Sequence, residues 1–225
     1  MNGFADRASA GSALAAELSG YRDREDVLVL GLPRGGVPVA AEVADALHAP
    51  LDLVLVRKLG APGQPELAIG AIASGGVIVI NENILSAAAS AAEVQSEIAR
   101  QRAELNRRDS LYRNGRLPLG VAGRRVILVD DGAATGATML AAIRAVRKQN
   151  AKRVVVAIPV ASIEALATLR EEADEVICLL APPTFLSVGD WYRHFEQTTD
   201  AEVCALLSRA RTRCQHIAAP ARASS

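Results

Sequence analysis

Two adjacent carboxylates followed by a loop of small and hydroxyl residues form the segment best suited to chemistry. The carboxylates are Asp130 and Asp131, and residues 132–138 follow with hydroxyls at Thr135 and Thr138. Small residues let backbone N–H groups approach an anion, and a helix starting there adds partial positive charge. A neighbouring carboxylate can accept hydrogen bonds from both hydroxyls of a vicinal diol. The pattern predicts a site for a pentose 5-phosphate.

The flanking residues indicate which elements hold this loop. Residues 126–130 form a short apolar run that ends in the acid pair, as expected of a buried parallel strand. Apolar residues return at helical spacing over residues 139–146, so the loop lies between a strand's carboxyl end and a helix. The simpler interpretation is a strand followed by a helix that Asp131 or Thr135 merely caps.

Strand, acid pair and Thr135-Gly136-Ala137-Thr138, in this order, resemble the signature of the type I phosphoribosyltransferases. The resemblance implies that Asp130 and Asp131 bind the ribose of 5-phosphoribosyl 1-pyrophosphate and contact Mg²⁺ through water. It assigns the 5-phosphate to the loop residues Gly132, Ala133, Ala134, Thr135, Gly136, Ala137 and Thr138.

A second loop, residues 32–38, follows the predicted strand over residues 27–31 and contains Arg34, Gly35 and Gly36. Glycines permit unusual φ values and close approach, while an arginine offers a fork of donors to phosphate oxygens. An ordinary turn with an exposed arginine would look the same. The family resemblance implies that this loop binds pyrophosphate.

Arg57 and Lys58 follow the next predicted strand, residues 51–56, and precede a flap over residues 58–76 that is rich in glycine and proline. Only residues 67–73 of the flap are predicted to form a short strand. The resemblance implies that the cations meet pyrophosphate and that the flap closes over the substrate, where it would exclude water. A charged strand end and a plain disordered loop are the alternatives.

Four of the seven aromatic residues lie within residues 182–195. In the resembled family this position belongs to a hood over the acceptor base, here residues 181–197. Trp191, Tyr192 or Phe185 could stack on a planar ring, or pack the end of the chain onto the core. Several purine-type relatives carry an acid where this chain has Ala134, so the acceptor and its general base stay open.

The remaining pattern alternates strands and helices, which predicts an α/β fold with a doubly wound, mainly parallel sheet. We predict one domain over residues 1–214 and a disordered tail over residues 215–225. Further helices are predicted over residues 6–18, 37–47, 86–113, 136–149 and 162–170, and further strands over 77–80, 154–159 and 175–180.

Composition favours a cytoplasmic protein without membrane spans, because no apolar run is long enough to cross a bilayer. The 225 residues carry 25 basic and 25 acidic side chains, so a nucleic-acid partner is disfavoured. The role of the arginine-rich residues 100–116 and a homodimer stay open. The expected function is base phosphoribosylation with Mg²⁺, and the alternative is a non-catalytic regulator that senses 5-phosphoribosyl 1-pyrophosphate or a nucleotide.

Overall fold

Five parallel strands form the main sheet of the computed structural model, which describes residues 3–61, 64–80 and 91–218. The parallel pairing confirms the predicted α/β class with a parallel main sheet. Across the sheet the strands are β2 Leu51–Leu53, β1 Val27–Gly31, β6 Arg125–Val129, β7 Arg153–Val160 and β8 Glu175–Leu180.

Helices cover both faces of this sheet, which explains why its strands are continuously apolar. In β1, Val27 and Val29 belong to one core cluster, while Leu28 and Leu30 belong to the other. On the first face lie α1 Arg7–Glu17, α2 Gly36–Ala46, α3 Ala91–Arg113 and α6 Asp200–Ala218; on the second lie α4 Ala137–Lys148 and α5 Ile163–Glu172.

The predicted flap contains regular structure. An antiparallel sheet consists of β3 Val56–Ala61, β4 Gln64–Ala73 and β5 Val77–Ile80. The single strand predicted over residues 51–56 is wrong, because the chain leaves the main sheet after β2. Leu55 and Ser74 mark this exit: the Leu55 N–H donates to Ser74 Oγ, and the Ser74 N–H donates to the Leu55 carbonyl, both at 2.9 Å. The predicted strand over residues 67–73 was too short.

A buried arginine anchors α3 to the main sheet. Arg113 is 1% exposed and pairs with Asp52 of β2, which is equally buried. Its Nε donates to Asp109 at 2.7 Å and its Nη2 to the carbonyl of Leu53 at 3.0 Å. Because three acceptors surround the guanidinium, the long helix has a defined position along the sheet edge.

The ends of two predicted segments differ from the observed ones. Helix α6 continues to Ala218, so the disordered tail predicted from residue 215 is corrected for residues 215–218, while residues 219–225 lie outside the described chain. Residues 86–90 of the helix predicted over 86–113 also lie outside it. Within the described ranges, no helix has the length and apolar character needed to span a bilayer.

Candidate anion and sugar site

The loop after β6 presents backbone and hydroxyl groups to solvent at the start of α4. It turns at Gly136, whose φ of 71° is in the left-handed region that favours glycine. Ser162 supports the loop from behind by donating a hydrogen bond to the Ala134 carbonyl at 2.7 Å. Gly136 is the N-cap residue of α4 and has no side chain to bond the first turn, so N–H groups there can meet an anion. The exposed residues are Ala134, Thr135, Ala137 and Thr138.

The acid pair lies directly before this loop, and its two members have different surroundings. The Asp131 N–H donates to Asp130 Oδ1 at 2.9 Å, while Asp131 Oδ2 accepts from Arg7 Nε at 2.8 Å. Burial, together with the charge of Asp131, raises the pKa of Asp130 well above its usual value. The pair therefore combines one carboxylate stabilised by an arginine with one carboxyl group that resists ionisation.

The loop after β1 touches the acid pair. A Cβ at Gly35 would lie 2.6 Å from Asp131 Cγ, and one at Gly36 would lie 2.7 Å from Asp130 Cα. Gly35 has an ordinary helical φ of −63°, so the expectation that it supplies an unusual φ is wrong. Close approach is what requires glycine here. The peptide between Pro33 and Arg34 is cis.

The predicted cations surround these loops from different elements. Arg34 Nη1 lies 3.9 Å from Asp200 Oδ1 and is one-third exposed. Arg57 and Lys58 lie inside β3 rather than at a strand's end, so their side chains point to opposite faces. Arg57 donates to Gln101 at 2.9 Å and lines a cleft with Pro33.

Lys58 lines a separate cavity of about 250 Å³ between the antiparallel sheet and the start of α4. Ala137 and Thr138 form part of the wall of this cavity. Lys58 is thus next to the loop after β6, while Arg57 is next to the loop after β1. The structure brings both cations to the site, but from the two faces of one strand.

The segment predicted as a hood, residues 181–197, contacts Asp131 and Gly132. Val188 packs on Gly132, where a Cβ would lie 2.6 Å from Val188 Cγ1. Trp191 is half-buried and lines an open groove. Tyr192 is buried; its ring stacks on Phe195 with centroids 4.9 Å apart, and its hydroxyl donates to the Asp131 carbonyl at 2.6 Å. The prediction that Tyr192 stacks on a base therefore differs from its observed position, which supports Asp131 from behind.

Two residues at the site were missed from the sequence. Arg7 reaches Asp131 from the first turn of α1, 124 residues away in the chain. Arg108 of α3 lines the cleft that Pro33 and Arg57 share. Spacing gives no signal for Arg7, and Arg108 is one of eight arginines between residues 100 and 125.

A parallel sheet with an acid pair and two loops of small residues at one rim agrees with the class of protein that comparisons with known proteins identify. The family model described as "Phosphoribosyl transferase domain" matches residues 6–191. The chain belongs to this family.

Two relatives from Mycobacterium tuberculosis, strains CDC 1551 and H37Rv, carry the provisional name of phosphoribosyl transferase. Each is 48% identical over 214 residues, which is 93% of this chain and 47% of the relative. The chain thus spans about half the length of these relatives.

Among solved structures, the protein TT1426 from Thermus thermophilus matches with a TM-score of 0.83 and 48% identity, over 92% of this chain and 98% of that one. A purine phosphoribosyltransferase from Pyrococcus horikoshii is more remote, with a TM-score of 0.46 and 19% identity over 84% and 89% of the two chains.

Proposed function

We propose that the protein transfers the phosphoribosyl group of 5-phosphoribosyl 1-pyrophosphate to a nitrogenous base and releases pyrophosphate. The observation that carries the proposal is the contact of Gly35 with Asp131. This contact sets a loop suited to pyrophosphate against a carboxylate suited to the ribose diol. The exposed loop residues Ala134, Thr135, Ala137 and Thr138 are within the same rim and suit the 5-phosphate.

In this proposal the bond between C1 of ribose and pyrophosphate breaks while C1 bonds to a ring nitrogen of the base, and the proton of that nitrogen passes to water or to the released pyrophosphate. Negative charge grows on the leaving pyrophosphate, and Arg34, Arg57 and the N–H groups of the loop after β1 stabilise it, while Lys58 adds positive charge from the side of the loop after β6. Asp130 and Asp131 hold the sugar hydroxyls so that base and leaving group lie in line. Closure of the segment 58–76 would keep water from the cationic ring.

Mg²⁺ would supply further positive charge at the pyrophosphate. Over the described ranges, no group of three or more His, Cys, Asp or Glu side chains is arranged to hold a metal ion. This fits Mg²⁺ whose ligands come mostly from substrate oxygens and water. Asp130 and Asp131 are the residues of this chain that would contact it, through water.

The acceptor is proposed to lie between the loop after β6 and the segment 181–197. Trp191 is the aromatic residue proposed to stack on its ring, since Tyr192 is enclosed by Phe195 and Phe4. Ala134 offers no group that could take a proton from the base. The acceptor class therefore has to come from a screen of bases.

The test is a screen of purine and pyrimidine bases with Mg²⁺ and 5-phosphoribosyl 1-pyrophosphate, read as release of pyrophosphate. At least one base should give turnover, and Asp131→Asn should remove it. Arg34→Ala should weaken binding of 5-phosphoribosyl 1-pyrophosphate in calorimetry while sparing ribose 5-phosphate, because only the former carries pyrophosphate. Equal losses for both ligands would contradict the role of Arg34.

If no base in the screen gives turnover, while 5-phosphoribosyl 1-pyrophosphate binds tightly and this binding depends on Asp131, catalysis is contradicted. It would favour the second candidate, a regulator that senses this ligand on the same fold. Absence of binding would contradict both functions.

A further inference from the structure

We propose that Arg7 is a positioning residue for sugar recognition: from the N-terminal helix it holds the Asp131 carboxylate in the orientation that accepts the ribose diol. The inference rests on the proposed function, because it takes Asp131 as the diol acceptor. It adds the first helix to the binding machinery, although Arg7 lies 124 residues before Asp131 in the sequence.

The contacts of Arg7 fix both its own orientation and that of Asp131. Its Nε donates to Asp131 Oδ2 at 2.8 Å, and its Nη1 donates to the Glu196 carbonyl at 2.7 Å. The guanidinium carbon lies 3.9 Å from the centroid of the Phe195 ring. Side-chain exposure is 12% for Arg7 and 16% for Asp131, so the pair is shielded from solvent competition. With three partners, the arginine has little freedom to move away from the carboxylate.

Among the described residues, the hydrogen bonds of Asp131 other than the one from Arg7 hold its backbone rather than its carboxylate. The Tyr192 hydroxyl donates to its carbonyl, and its N–H donates to Asp130. Its carboxylate rests on Gly35, which contributes no side chain that could orient it. Arg7 bonds Oδ2 of Asp131 and so fixes the orientation of the carboxylate. The other oxygen and the remaining lone pairs are then held toward the proposed sugar site. Sugar binding should therefore depend on Arg7 even though Arg7 itself need not touch the ligand.

The N-terminal segment also ties Arg7 to the segment 181–197. The Phe4 N–H donates to the Trp191 carbonyl at 2.8 Å, and the Arg193 N–H donates to the Phe4 carbonyl at 3.0 Å. Asp6 caps α1 by accepting a hydrogen bond from the Ser9 N–H at 2.7 Å. The cap makes Arg7 the first residue of the helix. Arg7 thus joins α1, the hood segment and the acid pair at one point.

The experiment measures binding of two probes, ribose 5-phosphate and inorganic phosphate, to the full chain by calorimetry. Arg7→Met keeps a long unbranched side chain and removes the charge, whereas Arg7→Lys retains a charged donor. Arg24→Met is the matched control. The Nε of Arg24 also donates to an aspartate, Asp26, at 3.2 Å, but this pair precedes β1 and so lies at the opposite end of the sheet from the site.

Arg7→Met should lower the affinity for ribose 5-phosphate by about tenfold, the size expected when the misoriented Asp131 carboxylate loses one charge-assisted hydrogen bond to the diol, and leave phosphate binding unchanged. Arg7→Lys should recover part of the loss, and Arg24→Met should have no effect. On an Asp131→Asn background, Arg7→Met should cause no further loss.

Equal losses for both probes would indicate general damage to the loops and overturn the proposal. So would additive losses in the double variant, or an Arg7→Lys variant as weak as Arg7→Met. If Asp131→Asn weakens ribose 5-phosphate binding but Arg7→Met does not, the inference fails and the proposed function stands. If Asp131→Asn itself has no effect, the diol assignment fails, and the inference fails with it.

Discussion

Gly35 lies against the carboxylate of Asp131, with room for a hydrogen atom and no more between the two residues. A Cβ on Gly35 would be 2.6 Å from Asp131 Cγ, and the neighbouring Gly36 is equally close to the backbone of Asp130. The loops that leave β1 and β6 therefore share one wall. In the proposed function this contact sets the distance between pyrophosphate and ribose, so its geometry is open to direct tests.

Gly35→Ala should weaken binding of 5-phosphoribosyl 1-pyrophosphate by about a hundredfold, because the new methyl group would push Asp131 or the loop after β1 out of place. The φ of Gly35 is −63°, so alanine brings steric conflict without backbone strain. Calorimetry measures the loss. Gly120→Ala is the control, since a Cβ there meets nothing within 4 Å. Equal affinity in the two variants would mean that the loops are not in contact.

Arg108 is expected to act on pyrophosphate, because it lines the cleft that contains Pro33 and Arg57. Arg108→Met should weaken pyrophosphate binding by about tenfold, the effect of one charge-assisted hydrogen bond, and spare ribose 5-phosphate. Arg107→Met is a close control, since both arginines bond Glu104 at 2.8 Å but Arg107 is more exposed. Calorimetry with the two ligands checks this. Similar losses of pyrophosphate affinity in both variants would mean that binding depends on the net charge of α3 and not on a contact with Arg108.

Asp130→Asn should make the folded protein more stable at neutral pH. Burial and the charge of Asp131 raise the pKa of Asp130 above its ordinary value of 3.8, so the folded chain keeps this proton to higher pH than the unfolded chain does. The stability that depends on the proton is present below that value and is lost as pH rises through the raised pKa. Asparagine has no proton to lose there, so the variant's advantage should grow with pH.

Urea unfolding of Asp130→Asn and the unchanged chain over a series of pH values measures this difference. The Asn side chain can still accept the hydrogen bond that the Asp131 N–H donates to Asp130. A difference in unfolding free energy that is constant with pH would show that Asp130 ionises alike in the folded and unfolded chains. If the free energy of unfolding of Asp130→Asn increasingly exceeds that of the unchanged chain as pH rises, and the variant no longer binds ligand, then Asp130 serves binding at the expense of stability.

The main sheet and its anion loops were predictable because their signals are local. Strands β1 and β6 are apolar at every position that faces either helix layer, and the acid pair follows β6 without interruption. Periodicity also located α4, whose buried residues include Met139 and Ile143. Chemistry that depends on a loop immediately after a strand is thus readable from the chain.

Two strands of the second sheet were predicted, over residues 67–73 and 77–80, but the division into two sheets and the distant site residues were not. Val54 and Leu55 are as apolar as a strand interior, so nothing local marks the point where the chain changes sheets. Only the contact of Leu55 with Ser74, 19 residues later, reveals the change. Arg7 meets Asp131 through the packing of α1 beside the hood segment, and pairings of this kind leave no periodic signal in the sequence.

Arg113→Met should destabilise the fold by about 3–5 kcal/mol, because the buried Asp52 loses its close ion-pair partner and keeps only Arg211, whose Nη2 lies 3.9 Å from Asp52 Oδ1. Both side chains are almost wholly buried, and Asp52 also accepts from the Leu119 N–H at 2.7 Å. Urea unfolding gives the free energy. Arg107→Met, on the exposed face of the same helix, should change it by no more than about 0.5 kcal/mol.

A combined Arg113→Met and Asp52→Leu variant separates the cost of an unpaired charge from the loss of packing. If the unpaired carboxylate causes most of the loss, removing it should restore much of the stability, because a buried ion pair replaced by apolar side chains is often nearly neutral. If the double variant is as unstable as Arg113→Met, the helix α3 is held by the shape and hydrogen bonds of Arg113, including its bond to the Leu53 carbonyl. Since α3 also carries Arg108, that outcome would make the position of the cleft between Pro33, Arg57 and Arg108 depend on Arg113 as well.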